Sequence, residues 1–296
     1  MAKSSLTIII VSYNTKDLLE KCLTSIIKAK ITYPYEIIVS DNGSKDGSRE
    51  LVKAQFKEVR LLVSSQNLGF AGGNNRAKNY VNSTYVLFLN SDTLVNADSV
   101  NKSVGYLDKH PKVGLVSCKT LLPDGSLDKD CRRSFPTPWA AFSHLVIPLD
   151  RLFPNSKIFS RYWYGYINPD LEHEIDVAQG AFMLTRKVVL DKMGWFDEDY
   201  FMDGEDVDLC WRIKNDGWKI VYYPKIFIVH YKKASKKSKI LSRKDRLRSR
   251  MASVNSMETF YKKHLWQKYN ILVNSVVSLG IYLIKLQRLL SVLIVK

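Results

Sequence analysis

Apolar residues fall along this chain in short runs separated by polar clusters. Residues 7–11, 35–40, 59–63 and 85–89 are four such runs, rich in Ile, Val and Leu. Each is nearly continuous rather than alternating, the pattern of strands covered on both faces. Between the first two runs, Leu19, Leu23, Ile26 and Ile27 recur at helical spacing within residues 16–28, and a further helix is expected over 74–80. Strand then helix, repeated, predicts an α/β protein with an open, mostly parallel sheet and helices on both faces. Ligands of such sheets bind beyond the carboxyl ends of the strands. The polar clusters stand there: Ser12 to Asn14, Asp41 to Ser44, Asn67 to Asn75 and Asn90 to Thr93.

The rhythm is lost over residues 123–175, which are rich in Pro and aromatics, among them Phe135, Trp139, Phe142, Trp163, Tyr164 and Tyr166. A cover over a substrate and an irregular aromatic subdomain both fit this composition. Order returns at 177–184. An acidic stretch over 194–208 then leads into a helix that carries Leu209 and Ile213 and stops near Gly217, and residues 226–229 deliver His230 at a strand end.

Composition narrows the class. The chain has 296 residues, 46% hydrophobic and 25% charged, which suits a globular protein and excludes disordered or collagenous chains. Cys22, Cys118, Cys131 and Cys210 form no CxxC pair, so reduced structural thiols are expected. The apolar run at 6–11 is too short for a signal peptide, so the catalytic part is expected to face the cytosol. The net charge of +16 is concentrated late: residues 231–270 hold thirteen Lys and Arg against Asp245 and Glu258, a net +11. Residues 271–296 add +3, which leaves +2 for the first 230.

The tail from 271 to 295 is largely apolar, interrupted by Lys285 and Arg288. Lys285, Arg288 and Ser291 recur every three residues, and Leu286, Leu289, Leu290, Leu293 and Ile294 cover the opposite side, as in a helix lying in a membrane interface. Packing against a second subunit and a single span are the alternatives. Anionic lipid attracts surface Lys and Arg at about 1 kcal/mol each, so a membrane surface suits the basic segment followed by an apolar helix. Nucleic acid has no use for the apolar tail, and no helix-turn-helix, finger or RNA-reading motif occurs. The organisation expected is a catalytic domain over 1–232 and a basic, amphipathic tail over 233–296.

Candidate chemistry lies in the polar clusters. Asp41 stands at a strand tip, where it can accept an N–H from a pyrimidine base; Asx turns and a helix cap at Asp46 or Ser48 explain the same cluster. Gly69, Gly72 and Gly73 permit close backbone approach to a nucleotide, but they follow the third strand, so a dinucleotide fingerprint does not fit. Asp92 just beyond a buried strand needs a backbone partner or a cation. Mg²⁺ or Mn²⁺ would accept one carboxylate, one imidazole and two phosphate oxygens, with His230 as the imidazole; a satisfied structural histidine is the alternative. Residues 197–208 hold seven acids among aromatics, and a capping box of Asp203 and Asp206 explains only two of them. Crowding of this kind can hold one carboxylate as a proton acceptor. His110, His144, His173 and His264 show no metal-ligand spacing.

In order, TIIIVSYN, VSDNGSKDGS, NLGFAGGNN, FLNSDT, GAFMLTRK, GWFDEDYFMDGEDVDLCWRIKNDGW and the late His230 resemble the family 2 glycosyltransferases, in particular the bacterial rhamnosyltransferase-like branch that builds cell-wall, O-antigen and capsule precursors. The resemblance covers residues 5 to 232. It implies a GT-A fold and inverting transfer of a sugar, dTDP-L-rhamnose being the donor implied, to a polyprenyl-linked or polysaccharide acceptor at the cytoplasmic face of a membrane. It places base contact on Asp41, the ion on Asp92 and His230, and the catalytic base on Asp206. Ser12, Asn14, Asn67, Gly69, Asn75 and Ser91 complete the expected donor side, with Gly180, Ala181, Glu205 and Trp163 on the acceptor side. Arg132, Arg133 and Arg212 are candidates for a phosphate, and solvated roles are open for the first two. The sequence departs from the DxD pattern: Asn90, Ser91, Asp92 keeps one carboxylate, so reliance on the ion is expected to be weak or partial. A UDP-hexose, UDP-galactofuranose or UDP-N-acetylhexosamine donor, and a catalytically inactive membrane scaffold, are the rival readings.

Overall fold

The computed structural model describes residues 5–96, 98–232 and 243–294. The first half runs β1 (Leu6–Ser12), α1 (Lys16–Lys28), β2 (Tyr35–Asp41), α2 (Ser48–Gln55), β3 (Arg60–Val63), α3 (Gly69–Asn75), β4 (Tyr85–Asn90), β5 (Thr93–Val95), α4 (Ser99–Lys109) and β6 (Val113–Leu121). Short helices α5 (Pro138–Ala141) and α6 (Leu149–Leu152) follow. The second half is β7 (His173–Glu174), β8 (Phe182–Arg186), α7 (Lys187–Met193), α8 (Glu205–Asn215), β9 (Lys219–His230), α9 (Arg243–Phe260) and α10 (Ile271–Ile294).

The strands join in one sheet, ordered β3-β2-β1-β4-β8-β6-β9-β5, with β7 on β9. Alternate residues of β1 enter opposite cores. Ile8 and Ile10 pack with Leu19 and Leu23 of α1 and Val104 of α4, and Ile9 packs with Phe88, Trp195 and Leu209. That double burial is why the runs at β1, β2 and β4 read as continuous; the remaining run, β3, departs from expectation, being an edge strand with no buried residue. The sheet is parallel from β3 to β4 and between β6 and β9, but β8 is antiparallel to both its neighbours, and β5 and β7 are antiparallel to β9. Strand direction there depends on how the chain crosses from β6 through residues 122–181, and no local pattern records it.

The helix expected over 74–80 lies earlier. α3 begins at Gly69 and ends at Asn75, followed by a 3₁₀ turn at Lys78–Tyr80. The reason is close packing: a Cβ on Gly73 would stand 2.8 Å from both Val11 Cγ1 and Asn42 Nδ2. Gly73 thus lets a helix press on β1, and Gly72 lies within the same helix rather than in an open nucleotide loop. Gly69, with φ +77°, meets Phe201, whose carbonyl accepts the Phe70 N–H at 2.9 Å. The expected Asp203 cap is also displaced: Gly204, with φ +121°, is the N-cap of α8, and no side chain caps it.

The tail departs from expectation in orientation. Lys285 bonds to Glu258 of α9, and Arg288 Nη1 donates to the Arg250 carbonyl at 2.7 Å and to Ser253. With buried Asn274 and Ile281 they form the inner face of α10, so Lys285 and Arg288, expected to meet solvent, face the protein. The exposed face carries Leu272, Val276, Leu279, Tyr282, Leu283 and Leu286. Ile271–Leu290 is long and apolar enough to cross a membrane, by length and composition alone. Residues 233–242 of the basic segment lie outside the described residues, as do residues 1–4, 97, 295 and 296.

Gly69→Ala forces a positive φ on a side chain and collides with the Phe201 carbonyl. It is expected to cost about 2 kcal/mol or more of stability, read as a lower urea midpoint.

Candidate active site

The parallel strands end together. Ser12 pairs with Asp41, and Val11 with Asn90, so the clusters after β1, β2 and β4 share one edge. The turn after β4 closes through Thr93 Oγ1 donating to the Asn90 carbonyl at 2.7 Å. β5 then pairs with the end of β9, with Thr93 opposite His230 and the Tyr231 N–H on the Asp92 carbonyl at 2.9 Å. Residues about 140 apart in sequence are thereby set side by side, with His230 Nε2 3.2 Å from Asp92 Oδ1. Its Nδ1 stands 3.4 Å from Asp128 Oδ2. Asp128 also accepts from Lys232 Nζ at 2.7 Å and from Gln179 Nε2 at 3.1 Å.

Asp92, Asp128 and His230 are all buried. Burial pulls the His230 imidazole toward the neutral form, but hydrogen bonds with Asp128 and Asp92 outweigh it and raise its pKa to about 9. Burial likewise disfavours the Asp128 carboxylate, yet His230 and Lys232 hold its pKa well below the usual range.

The second half of the site is the start of α8. Asp206 Oδ1 accepts the Val207 N–H at 2.8 Å, and Oδ2 is paired with Arg133 Nη2 at 2.5 Å. Burial, then the neighbouring Asp206 and Asp203, push the Glu205 carboxyl well up, and its Oε2 is buried without a hydrogen-bond partner. A carboxyl pushed up in this way is the poorer proton acceptor of the two on this turn, and Asp206 is the one that an arginine holds. The acidic stretch divides by task. Asp197 and Asp199 hold Lys263, and Glu198 accepts from Asn75. Asp208 turns away to His264 at 2.6 Å and Arg212 at 2.6 Å, anchoring α8 from behind.

Both halves open into one cavity of about 550 Å³. Asn67, Gly69, Ser91, Asp92 and His230 line it, as do Gly180, Ala181, Glu205, Asp206 and Trp163. Residues 123–175 divide between the cavity wall and the protein interior. Tyr162, Trp163 and His144 form an aromatic cluster on the cavity wall, while Tyr164 is buried and accepts the Asp176 N–H at 3.0 Å.

Four expected donor-side residues lie outside the lining. Ser12 bonds to Thr15, and Asn14 Oδ1 accepts the Lys45 N–H at 2.8 Å, so both brace turns. Asn75 is committed to the acidic stretch, donating to the Phe196 carbonyl at 2.8 Å, and does not reach the cavity. Asp41 Oδ1 takes Arg49 Nε at 2.6 Å and the Gly43 and Ser44 N–H groups, and its buried Oδ2 has no hydrogen-bond partner. Asp46 accepts from the Ser48 N–H at 3.1 Å, forming an Asx turn. Of the arginines, Arg212 serves Asp208, Arg132 is buried over the Tyr222 ring, and Arg133 holds Asp206.

Asp128, Gln179 and Lys232 escaped the sequence reading, as did the α9 wall of Ser253, Ser256, Met257 and Phe260 and the placement of Arg288. The four cysteines are buried and free, and burial pushes the Cys22, Cys131 and Cys210 thiols up to about 12, as structural thiols require.

Fold and site together define a glycosyltransferase of the GT-A type. The chain belongs to Glycosyl transferase family 2, whose sequence profile matches residues 7–194. It is 28% identical over 238 residues to N-acetylglucosaminyl-diphospho-decaprenol L-rhamnosyltransferase of Mycobacterium tuberculosis, covering 77% of this chain and 76% of that protein. It is also 28% identical over 232 residues to Rhamnosyltransferase WbbL of Escherichia coli, covering 76% and 82%. Among solved structures, the mannosyltransferase PcManGT of Pyrobaculum calidifontis in complex with GDP-Man and Mn²⁺ superposes with a TM-score of 0.56 at 19% identity. That match covers 88% of this chain and 65% of the solved one. GalNAc-T7 with UDP, GalNAc and Mn²⁺ gives 0.57 at 15% identity, covering 77% and 44%. These two likenesses establish the fold.

Hydrogen bonds from His264 and Arg212 outweigh burial and lower the Asp208 pKa. A lowered carboxyl contributes stability above its unfolded pKa, near 4, and loses it as pH falls through the folded value. Asp208→Asn is therefore expected to cost about 1–3 kcal/mol at pH 7, measured by urea unfolding, and the gap to wild type should shrink below pH 4.

Proposed function

We propose that the chain transfers a sugar with inversion, L-rhamnose from dTDP-L-rhamnose, to a lipid-linked or polysaccharide acceptor at the cytoplasmic face of the membrane. The observation that carries this reading is that Asp92 with His230 and Asp206 open into the same cavity. Inverting transfer is one in-line displacement. A base must take the acceptor hydroxyl proton on one side of the anomeric carbon while positive charge meets the departing diphosphate on the other.

Asp206 is the base. Arg133 orients its carboxylate, and the hydroxyl must compete with that guanidinium for Oδ2 or approach Oδ1. Glu205, whose carboxyl is pushed up by burial and the neighbouring Asp206, lines the cavity from the same turn and is the acceptor-side candidate. The unpartnered Asp41 Oδ2 suits an N–H of a pyrimidine base. Trp163 offers an aromatic face to a sugar ring.

The donor set fits a hard divalent cation, Mg²⁺ or Mn²⁺, in part. Asp92 Oδ1 and His230 Nε2 face each other, and Asp128 behind His230 is placed to fix the ring orientation. Among the described residues no group of three or more acidic, His or Cys side chains stands ready to hold an ion. Diphosphate oxygens would therefore supply much of the coordination, as expected from a lone carboxylate in the Asn90–Asp92 turn. When bound, the ion would stabilise the charge that develops on the leaving diphosphate.

The sugar is chosen on sequence similarity to the two rhamnosyltransferases. A UDP-sugar donor is the second reading, favoured by the UDP bound in the GalNAc-T7 structure. The apolar outer face of α10 supports attachment to an anionic membrane surface; a homo-oligomer through the C-terminal helices would cover the same face. Nucleic acid is not a partner in this reading.

A donor-hydrolysis screen over purified nucleotide sugars, with and without Mn²⁺, tests donor and ion together, and turnover with no dTDP-sugar would overturn the first choice. Asp206→Asn is expected to leave donor affinity near wild type and to cut turnover about 10²- to 10⁴-fold; a loss within a few-fold would remove the base assignment. Asp92→Ala should abolish or right-shift the Mn²⁺ activation curve, and an unchanged titration would exclude it as a ligand.

A further inference from the structure

α10 has its cations on the protein side, and this puts one of them in the wall of the catalytic cavity. The cavity holding Asp206 is closed on one side by Ser253, Ser256, Met257 and Phe260 of α9 and by Arg288 of α10. Arg288 is held in place by the Arg250 carbonyl at 2.7 Å and by Ser253. On the reverse of the same helix, Leu279, Tyr282, Leu283, Leu286 and Leu290 are exposed, between 41% and 61%. One helix thus presents an apolar face outward and a fixed guanidinium inward.

We propose that the α9–α10 hairpin seats the enzyme on an anionic lipid surface and, in that position, presents Arg288 to the phosphate of a lipid-linked acceptor. This rests on the reading that the acceptor is lipid-linked. The occupant of the outer face follows from charge: residues 231–270, which run into and include α9, carry a net +11 that complements anionic headgroups but would repel its copy in a second subunit. An acceptor whose tail stays in the bilayer must reach Asp206 from the side that α10 covers. Its phosphate, next to the tail, then remains near that wall while its sugar extends toward the base. A clamped guanidinium suits this task, since its planar fork matches phosphate oxygens in pairs.

The test uses the full chain, vesicles of phosphatidylglycerol and phosphatidylethanolamine, and two acceptors with the same sugar, one on a polyprenyl diphosphate and one on a neutral octyl chain. Wild type is expected to float with the vesicles at low salt and to prefer the diphosphate acceptor. Leu283→Glu should lose flotation. Arg288→Gln should lower the kcat/KM preference for the diphosphate acceptor about tenfold, through KM, with partial rescue by Arg288→Lys. If wild type shows no preference between acceptors, the lipid-linked reading itself falls. If it does and Arg288→Gln keeps that preference, only the Arg288 assignment falls. Weaker flotation of Arg288→Gln with the preference intact would assign this residue to lipid headgroups instead, and a non-floating wild-type dimer would overturn the membrane surface.

Discussion

A buried carboxylate must be compensated, and this requirement organises the molecule. Asp41 is answered by Arg49, Asp92 by His230, Asp128 by His230 and Lys232, and Asp206 by Arg133. Removing one partner from a buried pair costs about 3–5 kcal/mol, because the remaining charge is stranded. Each pair therefore ties distant segments together while it shapes the site. The end of β9 is the clearest case: one histidine between two carboxylates joins the turn after β4 to the loop after β6.

The same economy extends to the acidic stretch. Seven acids in twelve positions look like a single feature in the sequence, but they face three ways. Asp197, Glu198 and Asp199 staple the segment to Asn75 and Lys263, Asp208 fastens α8 from behind, and Asp203, Glu205 and Asp206 reach the cavity. The glycines of α3 work to a related end, since Gly69 and Gly73 let a helix approach β1 and the Phe201 turn closely enough to hold the acidic segment over the strand ends. The tail completes the enclosure, because α9 closes the cavity and α10 packs on α9 through Lys285 and Arg288.

Much of this was legible from pattern. The continuous runs at β1, β2 and β4 and the stripe of α1 announce a sheet buried on both faces, because the periodicity of burial is written locally. The polar clusters at the strand ends marked the edge where Asp92 lies, and the motif order marked Asp206 and His230. The antiparallel entry of β8, the inward turn of Lys285 and Arg288 and the commitment of Asn75 to Phe196 were not legible, since each depends on which segment arrives from elsewhere. Asp128 lies in no motif and gains its place only when β9 brings His230 and Lys232 to it.

Local chemistry in the chain thus sufficed for the class of fold and for the edge where the cavity opens, and it singled out two acids and a histidine, Asp92, Asp206 and His230, that line that cavity. Folding in three dimensions decided which charges meet, that Arg133 rather than solvent faces Asp206, and which side of α10 is apolar to the outside. The reason is one of range: helix and strand periodicity is set within a few residues, whereas the pairing of a desolvated charge is set by whatever the whole chain packs against it.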